Sequence, residues 1–229
     1  MATVIGFAGL AGAGKDTLAQ LITNHLVHAG RRRPITMDFA DPIREIAAYL
    51  GLRVYDRDHK EQEVRIRFEH FEVELCEAIE SVLGELVGAD DLAELFAYFA
   101  TALRAGKYVD GQTLQISPRR FCQLLGTEGG RRVRATFWID VYRARCAAYP
   151  DVQVVFCPGV RFHNEVKGCD LLIGILRPDA TPVDVHESEA YVAEIVDGAD
   201  IRVSNVGSLV DLGAEAKTIA RYIKETYDV

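Results

Sequence analysis

The feature that most constrains this chain is a glycine-rich segment near its N-terminus, Gly9-Leu10-Ala11-Gly12-Ala13-Gly14-Lys15-Asp16-Thr17. It matches the pattern G-x-x-x-x-G-K, and it lies between a predicted buried strand at residues 3–8 and a predicted helix over about residues 15–27. In such a setting the glycines let the backbone turn so that several N–H groups face one point. Those N–H groups and the helix N-terminus bind phosphate oxygens. The alternative is a glycine-rich turn that binds nothing.

Six residues of this loop are the predicted contacts of a nucleoside triphosphate: Gly12, Ala13, Gly14, Lys15, Asp16 and Thr17. The Lys15 ammonium would bridge the β- and γ-phosphates and stabilise charge during transfer. In many such loops a serine or threonine follows the lysine and binds magnesium, whereas Asp16 stands there in this chain. Asp16 therefore either holds magnesium through water, or orients the attacking phosphate, or is an acidic first-turn residue that favours the helix dipole.

Strands alternate with helices along most of the remaining chain. Further strands are predicted at residues 34–37, 152–157, 171–176 and 201–204, and further helices at residues 118–126, 136–148 and 209–227. The alternation predicts an α/β fold, the three-layer P-loop NTPase fold with a central parallel sheet. Helical periodicity at residues 59–83 and 90–105 interrupts it. This interruption predicts a helical insertion over about residues 56–112, and residues 107–117 are predicted to form a loop.

Charge and cysteine content narrow the choice of partners. With a formal net charge of −8, the chain lacks the basic surface that binds duplex nucleic acid, although a local cationic pocket can still hold one small phosphorylated ligand. The run Arg31-Arg32-Arg33 is interpreted as a solvated corner. No signal peptide or transmembrane segment is apparent, so no membrane partner is expected. The five cysteines lack CxxC or zinc spacing, which predicts reduced thiols in a cytoplasmic protein.

Three segments carry arginines at predicted strand ends or helix starts, where α/β sheets bind ligands. They are residues 39–44 with Arg44, 117–128 with Arg119 and Arg120, and 160–165 with Arg161. A kinase for small phosphates must hold two anions together while it excludes water, and guanidinium groups bind phosphate oxygens in pairs. The segments therefore predict a second phosphate site. Arg119 and Arg120 point to different helix faces, and Arg119 is favoured.

Six motifs occur in one order along the chain: G-x-x-G-x-G-K-D-T, F-A-D-P-I-R, P-R-R-x-x-Q-x-x-G-T-E, V-R-F-x-N-E, H-x-S-E and S-N-x-G-S-L. Together they resemble the bacteriophage-type deoxynucleoside monophosphate kinases, which belong to the wider nucleoside monophosphate kinase group. The resemblance runs from the first strand to near the C-terminus, but residues 56–112 carry no matching motif. Each motif after the glycine-rich loop is weak alone, and the set of six in sequence is specific.

The resemblance implies roles for residues outside the loop. The acceptor nucleotide would be bound by Asp38, Arg44, Arg119, Gln123, Gly126, Thr127, Trp138, Arg161 and Glu165. Arg119 and Arg161 would join Lys15 and Asp16 as catalytic residues, and Trp138 would stack on the base. On the ATP side, Arg177 ends a predicted strand and would reach the phosphates as a lid residue, and Asn205 would lie near the adenine.

Several of these roles have structural alternatives. Trp138 is equally a core residue of an apolar helix and Arg44 is equally a surface residue, and the alternative for Glu165 is an ion pair with Arg161. Either Asp38 or Asp41 is expected to touch magnesium through water. Asp41 is also a natural N-cap before Pro42, and the segment around Asn205 is also an ordinary turn before a helix.

Two positions depart from the family pattern. The family tends to carry an aspartate two residues before the matched arginine, where this chain has Gly159, and it usually has an aspartate in place of Val206. A P-loop enzyme often holds magnesium with an acid at the end of that strand. The change at Gly159 therefore shifts the expected metal contact to Asp16 or Asp38. In the H-x-S-E motif at residues 186–189, Ser188 is a plausible helix cap.

Taken together, the sequence predicts in-line transfer of the γ-phosphoryl group of ATP to the 5′-phosphate of a deoxynucleoside monophosphate. ATP and Mg²⁺ would be the cofactors and small nucleotides the partners. Residues 1–229 would form a single P-loop kinase domain in which residues 56–112 are an acceptor-side subdomain. The expected location is the cytoplasm, that of the host if a phage encodes the chain, and the expected oligomer is a homodimer. Two alternatives are another small-molecule kinase, for dephospho-coenzyme A or a nucleoside, and a non-catalytic ATP-dependent binding module.

Overall fold

The computed structural model describes residues 2–27, 34–56, 58–178, 180 and 191–228. They divide into two compact units, each with its own apolar core. The first unit contains the chain up to residue 39 and again from residue 146, and the second contains residues 40–145. The interpretation of the chain as one kinase domain with an acceptor-side subdomain at residues 56–112 stays a prediction.

In chain order, the strands are β1 (Thr3–Ala8), β2 (Ile35–Thr36), β3 (Val64–Arg67), β4 (Val109–Asp110), β5 (Thr113–Ile116), β6 (Val154–Cys157), β7 (Leu171–Leu176) and β8 (Ile201–Ser204). The helices are α1 (Lys15–Val27), α2 (Asp41–Tyr49), α3 (Phe71–Leu83), α4 (Ala89–Ala105), α5 (Pro118–Leu124), α6 (Arg131–Val133), α7 (Phe137–Ala147), α8 (His163–Val166), α9 (Val192–Asp197) and α10 (Leu209–Tyr227). A π-helical turn, Leu125–Gly130, joins α5 to α6.

The first unit contains a five-stranded parallel sheet in the order β2-β6-β1-β7-β8. Its central strands read as continuous apolar runs because both faces of the sheet are covered. In β6 all four residues are buried, and in β1 both Ile5 and Phe7 are inaccessible to solvent. The predicted α/β fold with a central parallel sheet is confirmed. Because parallel strands all end at one edge, the residues that follow them in sequence lie along that edge.

Helix α1 positions the site because it begins directly after the glycine-rich loop. Its buried residues include Leu18 and Ile22, which join the core of the first unit together with Ile219 of α10. Full burial of one such aliphatic side chain stabilises a fold by roughly 1.5–3 kcal/mol. The helix N-terminus is therefore held rigidly at the end of β1.

The second unit contains helices α2 to α6 and most of α7, with a small antiparallel sheet in the order β3-β5-β4. Its core includes Phe99 and Phe121, whose rings meet edge to face with centroids 4.9 Å apart. The helical prediction for residues 59–83 was wrong at β3, and the loop prediction for residues 107–117 was wrong at β4 and β5. Val64-Arg65-Ile66-Arg67 alternates with a period of two, and Gly111-Gln112 forms a two-residue hairpin loop with Gly111 at φ 56°.

The predicted helix at Pro118 does begin there, but it does not stop near Gly126, because the π-helical turn carries it on to α6. All five cysteines are free thiols, as predicted. Among the described residues no helix has both the length and the apolar run that crossing a bilayer requires. The predicted corner at residues 31–33 and the motif at residues 186–189 lie outside the described residues.

Candidate active site

The glycine-rich loop follows β1, the central strand of the parallel sheet, and leads directly into α1. Gly12 has φ 78° and Gly14 has φ 103°, a region of backbone conformation that residues with a side chain rarely adopt. The Ala13 N–H donates to the Leu10 carbonyl at 3.1 Å and closes the turn. The glycines thus allow a tight loop whose end meets the N-terminus of a thirteen-residue helix, the arrangement that binds phosphate.

Lys15 is the first residue of α1, and its side chain returns over the loop. Its Nζ donates to the Gly9 carbonyl at 2.7 Å and to the Leu10 carbonyl at 2.9 Å. The ammonium group is therefore fixed to the same turn that presents the backbone N–H groups. A cation in this position adds directly to the positive potential of the helix terminus.

Two residues that follow the strands β7 and β8 contact the loop backbone. Asn205, which follows β8, donates from Nδ2 to the Ala13 carbonyl at 2.8 Å, and the same nitrogen fills the space that a Cβ at Gly14 would occupy, at 2.6 Å. Arg177, which follows β7, directs Nη1 towards the Gly12 carbonyl at 3.4 Å. The structure thus brings Arg177 and Asn205 to the loop, and it shows Asn205 as a clamp on the loop backbone.

Asp16 and Thr17 lie exposed in the first turn of α1, beside Lys15. Within the described part of the chain, no group of three or more histidine, cysteine, aspartate or glutamate side chains could hold a metal ion. Mg²⁺ keeps several waters and binds through one or two carboxylates together with substrate phosphates. Oxygen donors of the required kind are present in Asp16, Thr17 and, after β2, Asp38.

Arg161 and Glu165 belong to the segment that follows β6. The Glu165 side chain is 4% exposed, and its Oε2 accepts hydrogen bonds from the backbone N–H of Arg161 at 2.8 Å and of Phe162 at 3.1 Å. The carboxylate therefore fixes the backbone on which the Arg161 guanidinium is carried. The role of Glu165 as an acceptor contact stays a prediction.

In the second unit, Arg119 lies in the first turn of α5. Its backbone N–H donates to the Lys60 carbonyl at 2.9 Å, and its Nε donates to the Glu61 carboxylate, with only 18% of the side chain exposed. Arg120 instead donates from Nε to the Tyr108 hydroxyl at 3.1 Å and lies over that ring. The two arginines do occupy different environments. The contact with Glu61 was missed in the sequence because 58 positions separate the partners.

Gln123, Gly126 and Thr127 follow Arg119 on α5 and the π-helical turn. The Thr127 hydroxyl donates to the Gln123 carbonyl at 2.8 Å, and a Cβ on Gly126 would lie 3.4 Å from Ile43. The π-helical turn widens the helix at this point, and such turns are frequent at functional sites. The structure thus gathers four of the predicted acceptor residues on one continuous helical segment.

Trp138 is 3% exposed and lies in the core of the second unit. Its indole Nε1 donates to the Gly126 carbonyl at 2.9 Å, and its ring fills the space beside Gly130, where a Cβ would lie 2.5 Å from it. This placement agrees with the core alternative, and it makes Trp138 a support of the π-helical turn. Base stacking by Trp138 stays a prediction.

Arg44 and Asp41 form an ion pair on α2, with 2.8 Å between Nη1 and Oδ1. The suggestion that Asp41 is the N-cap was wrong, because Ala40 occupies the cap position and Asp41 is the first helical residue. An acidic first-turn residue with a basic partner three positions later stabilises a helix terminus. Whether Arg44 also contacts an acceptor stays a prediction.

A parallel sheet whose central strand ends in a lysine-bearing glycine loop defines a nucleotide-binding protein of the P-loop class. No family model matches the chain. It is 30% identical over 188 residues to the deoxynucleoside-5′-monophosphate kinase of Escherichia phage T5, in an alignment that covers 72% of this chain and 70% of that enzyme. The chain therefore belongs to the family of that kinase, and its fold and loop are those of a nucleotide kinase.

Proposed function

We propose that this protein transfers the γ-phosphoryl group of ATP to the 5′-phosphate of a deoxynucleoside monophosphate, giving a deoxynucleoside diphosphate and ADP. The observation that carries the proposal is the rigid glycine loop with Lys15 at the end of the central strand, in a chain whose relative is named for that activity. The acceptor is already an anion, so it needs no strong general base. Positioning and charge neutralisation then provide most of the rate.

On the donor side, the loop N–H groups and the N-terminus of α1 would bind the β- and γ-phosphates. Lys15 would exchange the Gly9 and Leu10 carbonyls for phosphate oxygens, which are stronger partners because both members of the pair are charged. Asn205 and Arg177 would keep the loop backbone in its binding conformation through the Ala13 and Gly12 carbonyls. Mg²⁺, when bound with ATP, would neutralise phosphate charge, with Asp16 and Thr17 as the nearest oxygen donors in sequence.

On the acceptor side, we assign Arg119 and Arg161 to the 5′-phosphate, because guanidinium groups present paired donors to phosphate oxygens. Each is held by a glutamate: Glu61 receives the Arg119 side chain, and Glu165 fixes the Arg161 backbone. Gln123, Thr127 and Arg44 complete the proposed acceptor set, and Asp38 is assigned instead to the donor side. Held side chains lose less conformational freedom when substrate binds, which favours catalysis by positioning.

The direct experiment is a coupled assay of ADP release by the purified protein with ATP, Mg²⁺ and each of the four deoxynucleoside monophosphates in turn. We expect acceptor-dependent turnover with at least one of them. Lys15→Ala should lower kcat by roughly 10²–10³-fold or more, since it removes a donor aimed at the developing charge. Lys217→Ala, which removes an exposed lysine on α10, is the matched control and should leave turnover unchanged.

Three results would contradict the proposal. ADP release that is the same with and without every acceptor would favour an ATP-dependent binding module. Turnover with dephospho-coenzyme A or a nucleoside, and none with the deoxynucleoside monophosphates, would favour a different small-molecule kinase. A folded Lys15→Ala protein with near-normal turnover would refute the assignment of the glycine loop as the site that binds the transferred phosphate.

A further inference from the structure

Asp38 and Gly159 share one small space at the edge of the parallel sheet. A Cβ built on Gly159 would lie 2.2 Å from Oδ1 and 2.4 Å from Oδ2 of Asp38. Separations under 3.0 Å are essentially never seen for a real Cβ, so any side chain at residue 159 would displace this carboxylate. Glycine at residue 159 is therefore required for the Asp38 carboxylate to occupy this space.

The backbone holds that carboxylate at the phosphate end of the sheet. The Met37 N–H donates to the Phe156 carbonyl at 2.9 Å, which extends the pairing of β2 with β6 to the residue before Asp38. On the other side, the Val160 N–H donates to the Phe7 carbonyl at 3.2 Å, which ties the residue after Gly159 to β1. Strand β1 leads directly into the glycine loop, and β6 lies between β1 and the strand β2 that Asp38 follows.

The Asp38 carboxylate lies near a buried thiol. Cys157, two residues before Gly159, is fully buried, and its pKa is raised well above the usual thiol value, first by burial and then by the nearby Asp38 charge. A carboxylate placed at the rim of such a region interacts strongly with any cation that approaches from the open side, because the local dielectric is low. The sheet thus places a hard oxygen donor at the same edge as the phosphate-binding loop.

We propose that Asp38 is the second carboxylate of the donor site, that it binds the divalent cation of the metal–nucleotide complex directly or through one water, and that Gly159 is the residue that admits it. The proposal rests on the proposed function, since it assumes that the glycine loop binds a metal–nucleotide. The Asp38 carboxylate, which follows β2, would then perform the function that one acidic side chain at the end of β6 could also perform. Mg²⁺ accepts either source, because it requires an oxygen ligand of the right charge and takes its remaining ligands from water and phosphate.

The test measures metal binding by electron paramagnetic resonance, with Mn²⁺ titrated into the protein in the presence of saturating ADP and no acceptor. Asp38→Asn, which keeps the side-chain volume, should weaken Mn²⁺ binding by about tenfold or more. Asp197→Asn is the matched control, since that exposed aspartate pairs with Arg202 on the surface, and it should leave Mn²⁺ binding unchanged.

Further variants test the space that Asp38 and Gly159 share. Gly159→Ala should weaken Mn²⁺ binding in the wild-type background, and it should have no further effect on metal binding or on the thermal midpoint in an Asp38→Ala background, because the clash is then absent. The double variant Asp38→Ala/Gly159→Asp, which presents the carboxylate from β6, should recover most of the Mn²⁺ affinity that Asp38→Ala loses.

The proposal is overturned if folded Asp38→Asn binds Mn²⁺ as the wild type does, or if the effect of Gly159→Ala is the same with and without Asp38. Failure of Asp38→Ala/Gly159→Asp to recover Mn²⁺ affinity, with an unchanged thermal midpoint, would also overturn it. These outcomes are separate from the proposed function. Loss of acceptor turnover with normal Mn²⁺ and ADP binding would count against the reaction and leave Asp38 as the cation ligand.

Discussion

Replacement of Asn205 by alanine tests the donor side of the site most sharply. The Asn205 side chain donates to the Ala13 carbonyl at 2.8 Å, whereas its backbone N–H donates to the Leu176 carbonyl at 2.7 Å. Asn205→Ala therefore removes the clamp on the loop and leaves the chain anchored to the end of β7. Ala13 is 1% exposed, so water cannot readily replace the lost donor.

The size of the effect follows from these contacts. A neutral hydrogen bond contributes about 0.5–1.5 kcal/mol, and a buried acceptor left without a partner costs about 1–3 kcal/mol. We expect the phosphate-binding conformation of the loop to lose about 1–2 kcal/mol relative to other conformations. Ligand binding that requires this conformation should weaken by a factor of about 5–30.

Isothermal titration calorimetry with ATP and, separately, with inorganic tripolyphosphate distinguishes the clamp from a base contact. If Asn205 holds the loop, both ligands should lose affinity by the same factor. Asn24→Ala, on the exposed face of α1, is the matched control and should change neither affinity. A loss confined to ATP would refute the clamp and restore the expected contact with adenine, and no loss for either ligand would refute both roles.

Three further predictions concern other residues. Arg119→Ala should lower kcat/KM for the acceptor by about tenfold or more, whereas Arg120→Ala, which loses only its contact with Tyr108, should have little effect in the same assay. Trp138→Phe should lower the free energy of unfolding in urea by about 1–3 kcal/mol, because the Gly126 carbonyl loses its buried donor; an unchanged urea midpoint would contradict this. Burial raises the pKa of the Cys122 and Cys169 thiols to about 12, so both should resist a thiol reagent at pH 8 in the folded protein. Unfolded thiols ionise near pH 8.5, so these two groups stabilise the fold fully below that pH and progressively less above it, which urea midpoints between pH 7 and 10 would show.

The sequence predicted the elements whose signals are local. The glycine loop, the apolar runs of β1, β6 and β7, and the start of α5 at Pro118 are each specified by a few adjacent residues, and the parallel sheet follows from their alternation with helices. Strands β3 to β5 were missed because they are two to four residues long, and hydrophobic periodicity is weak over so short a span.

Side-chain contacts across the sheet could not be predicted in the same way. The Asn205 amide meets the Ala13 carbonyl across 192 positions of sequence, and Asp38 meets the space above Gly159 across 121. In both cases the sequence indicated the residue as a candidate, but its partner depends on strand order and register, which no short pattern encodes. The resemblance to the kinase family indicated which positions matter, and the structure shows what two of them touch.

The proposed reaction moves a phosphoryl group from ATP to another phosphate held by this protein. The most direct measurement supplies ATP labelled with ³²P at the γ-position, Mg²⁺ and a deoxynucleoside monophosphate, and separates the products by thin-layer chromatography. We predict that the label appears in the deoxynucleoside diphosphate, in amounts that rise with acceptor concentration and vanish in Lys15→Ala. Label found only in inorganic phosphate, or retained in ATP with all four acceptors, would contradict the account.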